Sequence, residues 1–325
     1  TPGNDVRFHW DKVENTRNFA NKMWNASRFV LMNMEGFEAV KPGLEELSLA
    51  DRWILSRLQL TIAEVTSLLD KYDLGEAARR LYEFIWDEFC DWYIELAKPR
   101  LVNQANPRER LVVQNVLRDV LVDILRLLHP FMPFITEEIY QFLPAHSATI
   151  MLDPWPEYKE ELIWLAELGQ MQQLMQAIRA LRNIRSEFNI NPSILIKAIM
   201  VVPDEVRRQV FIDNQAIIKQ MARLEQLELL YELEKKPEQA VSALLSLAEI
   251  YVPLEGIIDV EKEIQRLQKE LKMVENDLQK AENKLKNEKF LSKAPPEVIE
   301  KERSKAGEAI NRKEGILQRL HLLKK

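Results

Sequence analysis

The chain of 325 residues has one cysteine and eight glycines, and each scarcity removes a class of chemistry. A lone cysteine, Cys90, leaves no internal disulfide and no cysteine-ligated zinc site, and it fits a reducing cytosol. Its surroundings, Trp86-Asp87-Glu88-Phe89-Cys90-Asp91-Trp92, are acidic and aromatic, which opposes an activated thiolate and points to a buried structural side chain. The glycines form neither G-x-G-x-x-G nor G-x-x-x-x-G-K-[ST], so there is no Rossmann fingerprint and no Walker loop. Charge interrupts every apolar run before it is long enough to span a membrane. The opening Thr-Pro-Gly-Asn-Asp is neither a signal nor a transit sequence, so a cytoplasmic protein without a membrane partner is expected. A net charge of -6 excludes a general polycation, and any contact with nucleic acid must rest on local patches.

What the chain does have is Leu, Glu, Lys, Gln and Ala, the composition of a mainly helical protein, at a length that predicts two or three domains. It starts without Met only a few residues before a helix, as a piece of something longer would. Asp11 with Glu14 caps a first helix and Gly36 stops it. At 100° per residue Val13, Thr16, Ala20, Met23, Ser27, Val30 and Met34 form its apolar stripe. Opposite them stand Asn18, Lys22, Asn25 and Phe29 in one row, with Asn21 and Arg28 on the flank. Amides and cations ending in one aromatic suit unstacked bases, which need hydrogen-bonding edges, phosphate partners and a stacking surface; the other reading is that Phe29 packs under a neighbouring helix and the rest is a solvated face.

Three more helices follow. Ser48-Leu49-Ala50-Asp51 is a capping box for a second. Asp73 with Glu76 starts a third that runs to a stop at Lys98-Pro99. Asn106-Pro107 opens a fourth, closed by His129-Pro130. Short connections predict an antiparallel bundle over residues 1–143, its end plugged by Phe131, Met132 and Phe134. His129 has no second histidine or carboxylate cluster beside it, so a helix-end hydrogen bond is expected rather than a metal site or a base.

Asp153-Pro154-Trp155-Pro156 marks a linker with Trp155 anchored on the bundle, and residues 144–256 read as a small α+β domain. A helix over residues 161–187 carries Arg179, Arg182 and Arg185 at three-residue spacing. That stripe is either a phosphate contact or a solvated face neutralised by nearby acids. Residues 194–202, 227–233, 240–245 and 249–254 read as strands, with a helix capped by Asp204 between the first two. From residue 257, Ile257, Val260, Ile264, Leu267, Leu271, Val274, Leu278, Ala281 and Leu285 alternate steps of three and four, a heptad seam. Pro295-Pro296 breaks the helix, and a second run with Val298, Ile299, Ala306, Ile310, Leu317 and Leu320 should fold back on the first. Lys313 falls on that second seam. The fold class is therefore mainly α: an antiparallel bundle, a small α+β middle domain and a C-terminal antiparallel coiled-coil hairpin over residues 257–325.

The segment Leu127-Leu128-His129-Pro130-Phe131-Met132-Pro133-Phe134-Ile135-Thr136-Glu137-Glu138-Ile139-Tyr140 resembles the helix-end signature of the anticodon-binding bundle of class I aminoacyl-tRNA synthetases for valine, isoleucine, leucine and methionine. Asp5-Val6-Arg7-Phe8, Arg17-Asn18-Phe19-Ala20-Asn21-Lys22, Ala50-Asp51-Arg52-Trp53-Ile54 and Phe89-Cys90-Asp91-Trp92-Tyr93 resemble the valyl branch, just downstream of its catalytic core. Asn287-Glu288-Lys289-Phe290-Leu291-Ser292-Lys293-Ala294-Pro295 is similar to the coiled-coil arm of the bacterial-type valyl enzymes. The isoleucine branch ends in a cysteine-ligated zinc module, which Cys90 alone cannot form, and the leucine branch has a different C-terminal domain.

The resemblance implies a tRNA-binding part whose partner is tRNA(Val). Lys22, Arg28 and Phe29 would read the anticodon with Asn18 and Asn25 beside them, and the arm would lean on the tRNA elbow. Phosphate contacts are candidates at Arg179, Arg182, Arg185, Lys280, Lys284, Lys286, Lys289 and Lys293, and also at Lys262, Arg266 and Lys269. The HIGH and KMSKS motifs of the family are absent. No catalytic residue, cofactor or metal is therefore expected here, ATP and magnesium belonging to the catalytic domain, and a monomer is expected. The competing reading is a helical scaffold whose coiled coil recruits a protein.

Overall fold

Side-chain caps set the starts of two of the long helices, at Ser48 and Asn106, whereas Asp11, expected as a cap, lies within the first turn of its helix. The structure is a computed structural model that describes residues 10–103, 105–237, 240–254, 256–257, 260–287 and 295–323. Helix α1 spans Trp10–Met32, and Gly36 beyond it takes a positive φ of 71° that favours glycine. Helix α2, Leu49–Asp70, opens on the predicted capping box: Ser48 Oγ accepts from the Asp51 amide and Asp51 accepts from the Ser48 amide. Helix α5, Pro107–Leu128, opens on Asn106 with Pro107 in its first turn, and α6 spans Pro133–Gln141.

The predicted third helix is three joined pieces, α3 over Leu74–Glu83, a π-helical stretch over Phe84–Tyr93 and α4 over Ile94–Val102. The wider π turn brings residues five apart together, so Phe84 and Phe89, and Ile85 and Cys90, are all buried. Helix α4 does not stop at Pro99. The proline removes one donor, but burial of Ala97 and Leu101 holds the last turn in place.

The capping box is also the centre of the bundle's buried polar chemistry. Asp51, fully buried, accepts from Tyr93 Oη at 2.7 Å and from Arg100 at 2.8 Å, and Arg100 reaches Glu109 at 3.1 Å. Arg57 holds Glu88 through two bonds of 2.7 Å. These links join α2 to the π stretch and α4, and they account for Asp51 and Tyr93 in two of the sequence signatures. Burial disfavours the Tyr93 phenolate, and the neighbouring Asp51 charge adds to it, so the tyrosine's pKa is raised.

Two details of the bundle differ from expectation. Its buried face on α1 is Phe19, Met23, Ala26, Ser27 and Val30, while Val13 and Thr16 are exposed, because only the second half of α1 lies against the other helices. Phe131 and Met132 are half-buried, but Phe134 is 90% exposed and plugs nothing. It occupies the second position of α6, on the side turned outward when Ile139 and Tyr140 are turned in. His129 Nδ1 meets Thr136 Oγ1 at 2.7 Å, closing the helix end.

The structure divides into compact units of residues 1–173 and 174–325, with residues 144–164 in the first and the division falling within α7, Leu165–Glu187. The intervening segment stays with the bundle for a polar reason. Trp155 Nε1 donates to Thr66 Oγ1 at 2.9 Å, the Lys159 amide donates to Gln59 at 2.7 Å, and Arg126 holds Asp153 at 2.6 Å.

In the second unit the strands are β1 (Ile196–Val201), β2 (Leu224–Leu230), β3 (Ala240–Leu244) and β4 (Glu249–Pro253). They form one sheet ordered β2-β1-β4-β3. The β1–β2 pair is parallel and the other two pairs are antiparallel, with Ile199 opposite Tyr251 and Ser242 opposite Tyr251 on its other side. A parallel pair needs a crossover, supplied by α8 (Glu205–Asp213) and α9 (Gln215–Ala222), which pack on β2.

The arm is α10 (Val260–Leu285) packed against α11 (Pro296–Leu323). On α10 the heptad is literal: Leu267, Val274 and Ala281, seven apart, are buried, and Ile264, Leu271, Leu278 and Leu285 are half-buried. The second seam is the predicted one only in part: Ala306 and Leu320 are buried, and Ile299 and Lys313 half-buried, as expected. Val298, Ile310 and Leu317 are exposed, and the buried line runs through Glu302, Ala306, Ile316, Leu320 and Leu323. Across the hairpin Glu302 meets Lys284 at 3.3 Å and Lys313 meets Glu275 at 2.9 Å. Among the described residues no helix is long and apolar enough to cross a membrane, and no three His, Cys, Asp or Glu side chains come together to hold a metal.

Candidate nucleic-acid interface

The polar face of α1 lies beside the π stretch, and that neighbour decides what each residue of the row can do. Asn18, Asn21, Asn25 and Arg28 are exposed, joined by Arg17 and by Trp24 at 43%. Lys22 does not stand free. Its Nζ is 2.6 Å from Asp91 Oδ1 and 3.7 Å from the centroid of the Trp86 ring. Phe29 is half-buried rather than open, with Lys98 Nζ 5.7 Å from its ring centroid, and Lys98 in turn is held by Glu95 at 2.5 Å.

The wall opposite α1 is aromatic. Buried Phe19 meets Tyr82 at 5.0 Å between ring centroids, and Tyr82 meets Trp86 at 5.5 Å with the planes 12° apart. The periodicity of α1 could not reveal Tyr82 and Trp86 as part of this surface, since they sit more than fifty positions downstream. The only signal in the sequence was the density of aromatics between Tyr82 and Tyr93. Cys90 lies buried below, and burial is the main cause that pushes its thiol up to about 12, so it is no nucleophile.

The arginine stripe on α7 divides, with Arg179 and Arg182 exposed and Arg185 buried. Arg179 is exposed, whereas Arg182 donates to the Met221 carbonyl at 3.0 Å. Arg185 is 8% exposed and donates to the carbonyls of Arg223, Asn191 and Ile194. Burial, and after it the charge of Arg223, lowers its pKa. Arg185 thus braces the loop after α7 and the left-handed Arg223, whose φ is 55°, with its donors turned to backbone carbonyls and not outward to solvent.

On the arm Lys280 pairs with Asp277 and Lys286 with Glu282, both at 3.4 Å and on one helix, while Lys284 bridges to Glu302. Arg266 is held by Glu263 and Glu270, which also accepts from Arg312 at 2.8 Å. Lys289 and Lys293 lie outside the described residues. Such pairs are exchangeable for phosphate at small cost, because exposed ion pairs contribute only about 0–1 kcal/mol.

Residues 51–200 match the anticodon-binding domain of tRNA ligase, and residues 259–324 match the valyl tRNA synthetase tRNA binding arm. The chain belongs to the valyl-tRNA synthetase family. It is 48% identical over 323 residues to the valine–tRNA ligase of Carboxydothermus hydrogenoformans, covering 99% of the chain and 36% of that protein. It is 44% identical to that of Oceanobacillus iheyensis and 45% to that of Geobacillus kaustophilus, in each case over all of the chain and 37% of the relative. The chain thus spans little more than a third of the length of these valyl-tRNA synthetases. Helix α1 precedes the residues matched by the anticodon-binding model, yet the relatives align across it.

Proposed function

We propose that this chain is the tRNA-binding part of a valine–tRNA ligase, its bundle reading the anticodon of tRNA(Val) and its arm leaning on the tRNA elbow. The observation that carries the reading is the α1 face, where amides and Arg28 stand in solvent beside Lys22, Phe29 and an aromatic wall, within a chain that matches both tRNA-binding domains. Bases leave the loop stack, Asn18 and Asn25 bond their edges, Phe29 offers a partly open ring, and Lys22 with Arg28 takes phosphate. Arg179, Lys280, Lys284 and Lys286 supply further phosphate contacts.

Ligation of valine with ATP and magnesium belongs to the parts of the relatives that this chain does not span. The chain itself works as a cytoplasmic monomer without cofactor or metal and catalyses nothing. Filter binding of tRNA(Val) against a copy with an altered anticodon tests the reading. The altered copy should bind at least about fivefold more weakly, the loss of one good base contact at about 1–3 kcal/mol. Equal binding of the two would remove anticodon reading.

Exposed Ile310 and Leu317, one heptad apart on α11, give the coiled-coil scaffold its support. A stable protein dimer that retains no tRNA in a gel shift would favour it.

A further inference from the structure

Trp86 ends an aromatic stack that starts in the core. Phe19 and Tyr82 are tilted by 32° at 5.0 Å, and Tyr82 and Trp86 are nearly parallel at 5.5 Å. Packing of this kind fixes the plane of an indole before any ligand arrives, so little order is lost when a flat partner settles on it. Over that indole stands the Lys22 ammonium, 3.7 Å from the ring centroid and held by Asp91. A stacked ring lies about 3.5–4 Å away, the contact distance of carbon atoms. Ammonium and base therefore compete for the same space.

We propose that Trp86 is a stacking platform for one unpaired base of a single-stranded RNA loop, and that the Lys22–Asp91 ion pair is a latch covering it until RNA arrives. The proposal rests on the RNA-binding reading above and adds a residue outside α1 to it. The latch is built to open. Its side chains are 22% and 51% exposed, which makes the pair weak, and an RNA phosphate is a second anion for the same ammonium. Once Lys22 swings to phosphate, the base takes the uncovered ring. Duplex RNA cannot use the platform, because its bases are already paired and stacked.

The test uses the full chain and an RNA hairpin carrying the anticodon loop of valine tRNA, with 2-aminopurine placed at successive loop positions. The unmodified chain should quench the fluorescence of one position. Trp86→Leu should abolish that quenching and weaken binding about tenfold, within the range for loss of one stacked base. Trp86→Tyr should keep most of both, and a perfect duplex should not distinguish Trp86→Leu from the unmodified chain. Asp91→Asn, a surface change that frees the latch, should tighten hairpin binding severalfold. Unaltered affinity and quenching in Trp86→Leu would overturn the proposal, and so would weaker binding by Asp91→Asn, the one arm that does not depend on Trp86 variants folding. Failure of the unmodified chain to bind the hairpin would instead remove the RNA-binding reading, and the platform with it.

Discussion

In the bundle, the cation nearest the candidate interface is held across 69 residues of sequence, Lys22 to Asp91, and lies against an indole. In the arm, Lys280 and Lys286 are held by acids three and four residues away on their own helix, and neither arm helix contains a Phe, Tyr or Trp. A pair of the second kind forms on any helix and is screened by salt. One of the first kind exists only where folding has brought two elements together. The bundle can therefore shape a site for a base, whereas the two described arm helices offer charge for phosphates and no Phe, Tyr or Trp ring on which a base can stack.

The largest effect expected concerns the bundle's frame. Asp51→Ala leaves Arg100 buried without its main partner and should cost about 3–5 kcal/mol in denaturant unfolding. A loss below about 1 kcal/mol would mean that the bundle, like the arm, is held by dispensable charges. Next, Lys22→Ala combined with Phe29→Ala should lower tRNA affinity about tenfold, as for the loss of a stacked base. Thermal melting should fall by no more than about 1–2 kcal/mol, since Phe29 is only half-buried and the Lys22 pair is exposed. Equal loss of folding and binding would make the pair core and not interface.

A smaller effect is expected from the arm. Replacing Lys280, Lys284 and Lys286 together by Gln should weaken tRNA binding severalfold at low salt and reduce the salt slope by about two or three, with no change in preference between anticodons. A changed anticodon preference would break the division between a base-reading bundle and a charge-bearing arm. Least of all, Arg312→Ala should shift unfolding by less than about 1 kcal/mol, because its cross-helix pair with Glu270 is largely exposed on the arginine side.

Much of the chain was legible before any coordinates. Ser48-Leu49-Ala50-Asp51 and Asn106-Pro107 announced helix starts because a cap is a bond between near neighbours. The α10 seam was legible because a heptad is a period along one helix. The α11 seam was legible only in part: Ala306 and Leu320 lie on it, whereas Val298, Ile310 and Leu317 face out and Ile316 faces in, because the line turned inward is set by the facing α10. Arg185 looked like a surface cation for the same reason. The carbonyls that bury it come from a loop and from the end of α9, which a helical wheel cannot contain.

Sequence alone determined the helix starts at Ser48, Asp73 and Asn106, the rough places of the four strands, that no phosphate loop or cysteine-ligated zinc site is present, and which family the motifs resemble. These are properties of neighbouring residues, set by backbone hydrogen bonding and by residue spacing. Tertiary structure decided that Lys22 pairs with Asp91, that Tyr82 and Trp86 wall the α1 face, that Phe134 points outward and that Arg185 is a brace. Each of those depends on which distant side chain fills the space opposite, and such pairings are fixed only when the elements pack.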